Sequence, residues 1–290
     1  MITPWHVITT QQRKWAVTRG IKPNVRFYTP TLEENLFQPL NAQTRAEFAA
    51  GNGDELVGTD RPARMQSFFS SSAFLCNIFD YWRSQLLLGR SLETLTTALG
   101  APLSIKQMQF RQIYPTGIRD NTPQFDVVLF GNTSKPFLIE STFLGHDERY
   151  SNNNISTKSY FPNSGELWGK YGLSRCDALA RRINADQEEF RKLNVPQLLK
   201  HILGLANTFG KDFTFLYLWY DCTSGYGYAS RYAAECAAEY RAEVETFMLR
   251  LNGEIDFRAM TYQELFMKMQ SDPAVEEKYI AYLAERYFPG

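Results

Sequence analysis

Two acidic residues, Asp126 and Glu140, stand at the outer ends of two apolar runs in the segment FDVVLFGNTSKPFLIEST. The five residues between the runs, GNTSK, include Gly and Asn and have a length typical of β-hairpin loops. In a hairpin centred on Thr133, Val128 faces Leu138 and Asp126 faces Glu140, with the two acidic Cβ atoms about 5 Å apart on one face of the sheet. The sequence therefore predicts a pair of facing carboxylates.

A pair of carboxylates this close is destabilising unless a cation lies between them or one carboxyl is protonated. Mg²⁺ suits such a position, since proteins hold it through one or two carboxylates and leave its other positions to water and substrate phosphate. A cation held in this way polarises a phosphodiester and lowers the pKa of an attacking water. Asp126 and Glu140 are therefore predicted ligands of Mg²⁺, for which Mn²⁺ can substitute, although acids also end many strands for structural reasons alone.

The elements that must position these acids follow from apolar periodicity. The stretch MQSFFSSSAFLCNIFDYWRSQLLLGR has helical spacing, with Gly89 as its stop, and KQMQFRQIY alternates as a strand does. After the hairpin, SRCDALARRINADQEEFRKL and VPQLLKHILGLANTF have helical patterns, and FTFLYLWY is typical of a strand buried on both faces. The order helix, strand, strand, strand, helix, strand predicts an α/β or α+β sandwich, in which helices flank a mixed sheet.

Three portions are expected along the 290 residues. Residues 1–65 mix turn formers with short apolar pieces, which predicts an irregular N-terminal portion packed on the core. Residues 66–228 contain the predicted core elements. Residues 229–290 are mostly helical in pattern, as in YAAECAAEYRAEVETFMLRL, and predict a C-terminal helical extension.

Bulk composition narrows the classes of function. Lys plus Arg and Asp plus Glu both number 31, so the overall basic excess typical of nucleic-acid-binding domains is missing, although a neutral total can hide a basic groove. The four cysteines show no CxxC spacing, which argues against a zinc ribbon or a disulfide framework and favours a reducing compartment. The N-terminus lacks a leader pattern and no apolar run is long enough to span a bilayer, so we expect a cytoplasmic protein without a membrane partner.

The acidic pair lies in a recognisable pattern. Asp126, thirteen further residues and then Glu140-Ser141-Thr142 resemble the motif of the PD-(D/E)XK nuclease superfamily, and the predicted order of elements is similar to its restriction-endonuclease-like core. The segments SSSAFLCNIF, LIESTF, VPQLLKHILGL and FLYLWY look like those of a bacterial restriction-endonuclease-like branch, over about residues 66–220. The resemblance implies Mg²⁺-dependent cleavage of DNA, in a restriction or defence context, with both acids as metal ligands.

The third position of the motif departs from the superfamily. It is normally a lysine, two positions after the acid and hence on the same strand face, and here it is Thr142. A hydroxyl can hydrogen-bond a water but brings no positive charge to a transition state. Either a lysine reaches the site from elsewhere, or the site has lost catalysis and only binds. The candidate lysines are Lys158 and Lys200, the latter on the same predicted helix face as Gln197.

Three readings of the function remain open from the sequence. The first is a Mg²⁺-dependent endonuclease for double-stranded DNA, with RNA as another possible substrate, in which a homodimer would match the two strands of a duplex. Its site would contain Asp126, Glu140, Thr142, Gln197 and Lys200. The second is a weakened or inactive nuclease fold that binds nucleic acid or a protein partner. The third is an unrelated cytosolic enzyme whose paired acids are structural.

Weaker hypotheses concern other polar side chains. His146 or His201 could act as a general base, and Glu148 could reach a second metal, although a solvated turn or a helix boundary is the simpler interpretation. The Asn-rich loop at 149–166 has groups suited to reading base edges, or is a plain surface loop; its aromatic residues are Tyr150, Tyr160 and Phe161.

Basic, sulfur and indole side chains complete the candidates. One predicted helix carries a basic set that could grip phosphates or simply form a solvated face; its members are Arg175, Arg181, Arg182, Arg191 and Lys192. Cys176 and Cys222 lack a sequence-local base, so a thiol nucleophile has little support. Trp82, Trp168 and Trp219 are expected in the core rather than as stacking platforms for bases.

Overall fold

The computed structural model describes residues 2–22, 24, 27–51, 54–118, 122–144, 165–223 and 231–289. The helices are α1 (Pro4–Thr18), α2 (Ala42–Ala49), α3 (Ser71–Leu87), α4 (Glu93–Leu99), α5 (Gly165–Lys170), α6 (Ser174–Asn184), α7 (Val195–Phe209), α8 (Arg231–Leu251), α9 (Tyr262–Gln270) and α10 (Glu277–Arg286). The strands are β1 (Ile105–Ile113), β2 (Gln124–Gly131), β3 (Phe137–Thr142), β4 (Thr214–Trp219) and β5 (Asp256–Thr261). Within the described ranges, no helix combines the length and apolarity needed to cross a membrane.

The fold is α+β and is built on a five-stranded mixed sheet. The strands follow one another in the order β1-β2-β3-β4-β5, antiparallel from β1 to β3 and parallel from β3 to β5. The predicted order of helix, three strands, helix and strand is present as α3, β1, β2, β3, α7 and β4, with α4 after α3 and with α5 and α6 before α7. The mixed sheet flanked by helices is therefore confirmed.

The hairpin of β2 and β3 has the predicted register. Val128 pairs with Leu138, and the neighbouring pairs join Val127 to Ile139 and Leu129 to Phe137. The apolar centres of both strands are buried, and a slip of one residue would move every side chain to the opposite face of the sheet. Continuing this register by one residue beyond the pair of Val127 and Ile139 brings Asp126 opposite Glu140.

Each face of the sheet has its own apolar core. On one face, side chains such as Val127, Ile139 and Leu218 pack with the helices α1, α3, α4, α9 and α10. On the other, Val128 and Leu138 pack with α6, α7 and α8. The sheet therefore forms the middle of three layers, and the acidic ends of β2 and β3 lie where α7 passes over them.

The portions outside the predicted core differ from expectation. Residues 1–65 are not irregular throughout, since α1 forms behind the cap of Thr3 with Pro4 in its first turn and α2 follows later. The C-terminal portion is not helical throughout, because β5 extends the sheet in parallel beside β4. Hence both terminal portions pack with the core, and the last one contributes a strand to it.

One predicted helix is shorter than expected. Helix α6 begins at Ser174 and ends at Asn184, before the end of the predicted helix. Asp186 then adopts a left-handed backbone with φ of 56°. The backbone amides of Arg191, Lys192 and Leu193 donate instead to the Glu243 carboxylate of α8, at 2.8 to 2.9 Å. A carboxylate distant in sequence therefore stabilises a non-helical path that local periodicity did not predict.

Helix α7 sits very close to the strands that carry the acids. It begins at an Asn194 cap whose Oδ1 accepts from the Gln197 amide, and it has Pro196 in its first turn. A Cβ built on Gly204 would lie 2.4 Å from the Tyr114 carbonyl oxygen and 2.8 Å from Pro123 Cγ. Only glycine permits this approach, which brings the first half of α7 over the ends of β2 and β3.

Candidate metal and phosphate site

A cavity of about 380 Å³ opens where β1, β2, β3 and α7 meet. Both predicted metal ligands line it, and so do the two α7 residues that the sequence singled out. Its lining also includes Arg111 and Ser141, and in full it comprises Arg111, Thr122, Pro123, Gln124, Asp126, Glu140, Ser141, Asn194, Gln197, Lys200 and His201. The two acids therefore face one shared space rather than opposite sides of the sheet.

Glu140 is a buried carboxylate with one oxygen that accepts no hydrogen bond from the described residues. The residue is only 8% exposed, and its Oε1 accepts a hydrogen bond from Gln197 Nε2 at 2.9 Å. No described donor reaches its Oε2, because the nearest ring nitrogen, Nε2 of His201, is 3.7 Å away. Burial and, after it, the charge of Asp126 raise the pKa of Glu140 well above its usual value.

Asp126 is oriented by the residue that follows Glu140. Its Oδ2 accepts from both the backbone amide and the hydroxyl of Ser141, each at 2.8 Å. Its Oδ1 faces Arg111, whose Nη1 is 3.7 Å away. Burial raises the pKa of Asp126, and the Arg111 charge and the Ser141 hydrogen bonds oppose that rise. The two hydrogen bonds to Oδ2 hold the carboxylate in one orientation. In that orientation Oδ1 faces the Arg111 guanidinium.

Arg111 is a site residue that the sequence did not indicate. The β1–β2 register runs through Phe110 opposite Val127 and Gln112 opposite Phe125, so Arg111 lies across from Asp126. Its backbone is left-handed, with φ of 56°, which is uncommon for a long side chain and costs about 1–3 kcal/mol. Gln124 Nε2 donates to its carbonyl oxygen at 3.0 Å.

A buried polar network holds the β1 backbone next to Arg111. Arg83 of α3 is 2% exposed and donates through both terminal nitrogens to Glu47 of α2, at 2.5 and 2.8 Å. Arg83 also donates to the Met108 carbonyl oxygen at 2.7 Å, and Glu47 accepts from the Phe110 amide at 3.0 Å. These side chains provide hydrogen-bond partners for the Met108 carbonyl and the Phe110 amide of β1. The strand can therefore deviate at Arg111 without leaving these two buried backbone groups unpaired.

The first half of α7 supplies the remaining polar groups of the cavity. Gln197 and Lys200 both line it, as their spacing on one helix face predicted. His201 is 2% exposed, and burial, with the charge of Lys200 second, lowers its pKa to about 3. The ring is therefore neutral near pH 7.

Thr142 lies beside the site rather than in its main cavity. It lines a smaller adjoining cavity of about 100 Å³. The lining residues that this cavity shares with the main cavity are Glu140, Ser141, Asn194 and Gln197. Glu140 and Thr142 share one strand face, and β3 pairs in parallel with β4 through both. The departure from the motif lysine thus leaves the space next to Glu140 without a charge from this strand.

The other predicted candidates have three different outcomes. His146, Glu148, Lys158 and positions 149–164 of the predicted loop lie outside the described residues, and the last two positions of that loop, Gly165 and Glu166, begin α5. The basic set does not share one helix, because Arg191 and Lys192 follow the end of α6. Trp82, Trp168 and Trp219 are buried as expected, and Cys176 is buried with a raised pKa, so its thiol is not activated.

The donor set suits a hard divalent cation held by two carboxylates. Within the described part of the chain, no group of three or more His, Cys, Asp or Glu side chains is placed to hold a metal. Mg²⁺ commonly takes one or two carboxylates and leaves the rest to water and phosphate. The unpaired Oε2 of Glu140 beside a second carboxylate is the kind of buried acceptor that such an ion would satisfy.

Comparison with known protein families gives a match over most of the chain. A family model described as "Restriction Endonuclease associating with ARP" matches residues 9–288. Searches of curated proteins and of solved structures give no match. The matched range runs from within α1 to beyond α10, so it includes the terminal portions as well as the sheet.

Proposed function

The chain belongs to the family described as Restriction Endonuclease associating with ARP, and from that premise we propose that it is a Mg²⁺-dependent endonuclease of the PD-(D/E)XK type. Its substrate is double-stranded DNA, and its context is restriction or defence. The observation that carries this proposal is the buried Glu140 carboxylate, which shares a cavity with Asp126 and has one oxygen without a described donor.

The proposed chemistry divides between a bound cation and the side chains around it. Asp126 and Glu140 would hold Mg²⁺ or Mn²⁺, and when bound such an ion supplies positive charge to a phosphodiester and lowers the pKa of water. Ser141 fixes Asp126 and Gln197 fixes Glu140, so both carboxylates are oriented before any ion arrives. Lys200 adds positive charge from the α7 side of the cavity.

A second candidate function is binding without cleavage. The motif lysine is replaced by Thr142, which cannot stabilise a developing negative charge as a cation does. In this reading the same cavity contacts nucleic acid or helps to position a protein partner, and the family description itself names an association with ARP. The two candidates differ in whether phosphodiester bonds are broken.

A plasmid nicking assay separates them. Supercoiled DNA is incubated with Mg²⁺ or Mn²⁺ and wild-type protein, Asp126→Ala, Glu140→Ala or the control Glu235→Gln, which alters an exposed i,i+4 pair on α8. The endonuclease proposal expects nicking by wild type and the control, and at least about a hundredfold loss in both site variants. Equal nicking by all four proteins, or none by any of them, would defeat it.

A further inference from the structure

We propose that Arg111 is the cationic side chain that contacts the scissile phosphate, in the role that the motif normally gives to a lysine. The inference rests on the proposed function, and it names the residue that compensates for Thr142. The site then has its positive charge on β1, across from Asp126, instead of on β3 beside Glu140.

The position of the Arg111 guanidinium fits a phosphate ligand. It lines the cavity shared by the two acids. Its Nη1 is 3.7 Å from Asp126 Oδ1, which is close enough for charge attraction but too long for a hydrogen bond. Its donors make no hydrogen bond to any described residue, so they remain available to the oxygens of a phosphate, which a guanidinium matches with two parallel hydrogen bonds.

The strained backbone supports the same role. Arg111 keeps a left-handed φ of 56° inside a strand, and that conformation is rare for its residue type. Gln124 caps its carbonyl group, the Glu47 carboxylate takes the amide of Phe110, and its guanidinium carbon is 5.7 Å from the centre of the Phe48 ring. Strain that neighbours maintain in this way commonly marks a functional position.

Lys200 is the rival cation, because it lines the same cavity from α7. Three features favour Arg111. It lies directly across the ladder from a predicted metal ligand, its backbone is held by named hydrogen bonds, and its side chain is only 21% exposed. A lysine on a flexible four-carbon stem holds a point charge less precisely in place than a planar guanidinium.

The test compares a variant that removes the charge at position 111 with one that keeps it, and both are chosen with the left-handed backbone in mind. Arg111→Asn removes the charge with a residue type that accepts the left-handed region, and Arg111→Lys keeps the charge. Arg231→Ala, on a side chain that is 94% exposed, is the control. We expect Arg111→Asn to lower kcat for nicking by about a hundredfold or more, with Arg111→Lys intermediate and with Mn²⁺ affinity by calorimetry nearly unchanged.

A rescue variant tests whether the charge has moved from the motif position. Adding Thr142→Lys to Arg111→Asn restores a cation at the position that the superfamily uses. We therefore expect the double variant to nick DNA at least about ten times faster than Arg111→Asn. Nicking by Arg111→Asn at the wild-type rate would overturn the inference. So would loss of Mn²⁺ binding or of the folded state in Arg111→Asn and Arg111→Lys alike, since Arg111 would then be structural.

A binding measurement keeps this inference separable from the proposed function. Fluorescence anisotropy with a labelled duplex in Ca²⁺, over a range of salt concentrations, should give a log–log slope smaller by about one for Arg111→Asn than for wild type. If wild type never nicks DNA but this difference is found, the endonuclease proposal fails and the phosphate contact stands. If the slopes of wild type and Arg111→Asn are equal, the phosphate contact is refuted.

Discussion

Gln197 Nε2 donates to Glu140 Oε1 at 2.9 Å, so α7 orients one oxygen of a buried carboxylate while the other oxygen has no donor among the described residues. The contact joins a helix to a strand residue 57 positions away in sequence. It fixes the acid without neutralising it, and the burial that makes the acid unfavourable in isolation is what would favour a bound cation.

The metal-free protein should be destabilised by Glu140 as the pH rises. Because burial raises the pKa of this acid above 4.5 in the folded state, the folded form binds the extra proton, and stability is lost as the pH rises through the folded pKa. Glu140→Gln mimics the protonated form. In EDTA at pH 8 it should melt about 3 °C or more above wild type, and at pH 4 the difference should vanish.

The same melting experiment has an internal check. His201, whose pKa burial lowers to about 3, affects stability in the opposite sense below pH 6.5, but it is present in both proteins and so largely cancels in their difference. Saturating Mn²⁺ should raise the melting temperature of wild type and leave that of Glu140→Gln unchanged. A variant that melts below wild type at pH 8 would contradict the raised pKa.

Removing the Gln197 amide should weaken metal binding without removing a ligand. A group that orients a ligating carboxylate typically contributes a factor of about 10–100 in affinity. We therefore expect Gln197→Ala to raise the Kd for Mn²⁺ by that factor, measured by calorimetry. Gln187→Ala, at an exposed position after α6, is the matched control, and equal affinities in the two variants would show that the Gln197 contact is incidental.

Breaking the network behind Arg111 should cost stability. Glu47→Ala leaves Arg83 buried without its carboxylate partner, and removing one member of a buried pair costs about 3 kcal/mol or more. Glu33→Ala removes an exposed pair with Arg45 and should change stability by less than about 1 kcal/mol. Urea unfolding gives both free energies of unfolding, and similar values for the two would argue against the network.

The close approach of α7 predicts a strong effect at Gly204. Gly204→Ala places a methyl group 2.4 Å from the Tyr114 carbonyl oxygen, and overpacking of this kind costs about 1–3 kcal/mol. Gly169→Ala, where a Cβ would meet nothing within 4 Å, should be neutral or mildly stabilising in thermal melts. Displacement of α7 should also lower Mn²⁺ affinity in Gly204→Ala alone, because α7 carries Gln197.

Local patterns were sufficient to predict much of the fold and half of the site. Two apolar runs and the five-residue loop between them predicted the β2–β3 register, so the meeting of Asp126 and Glu140 could be anticipated. Helix α7 matches its predicted bounds because a cap, an early proline and a strong apolar face coincide. The N-cap residue Thr3 followed by Pro4 in the first turn was a usable signal for α1 that the polar composition of that helix obscured.

The rest depends on contacts between distant residues. Nothing in the QFRQI stretch marks Arg111 as left-handed, since that conformation is maintained by Glu47 and Gln124 from other elements. Likewise β5 has a single fully buried side chain, Thr261, so it lacks the alternation that predicts a strand and forms because β4 offers a parallel edge. Tertiary partners decide such positions, and a single sequence does not display them.

The most direct test of the central claim is a calorimetric titration of wild-type protein, Asp126→Asn, Glu140→Gln and Glu235→Gln with Mn²⁺. If the two carboxylates share one divalent cation, wild type and Glu235→Gln bind one Mn²⁺ at a common site, and each of the other two variants loses it. Absence of binding by wild type, or the same affinity in all four proteins, would contradict the account.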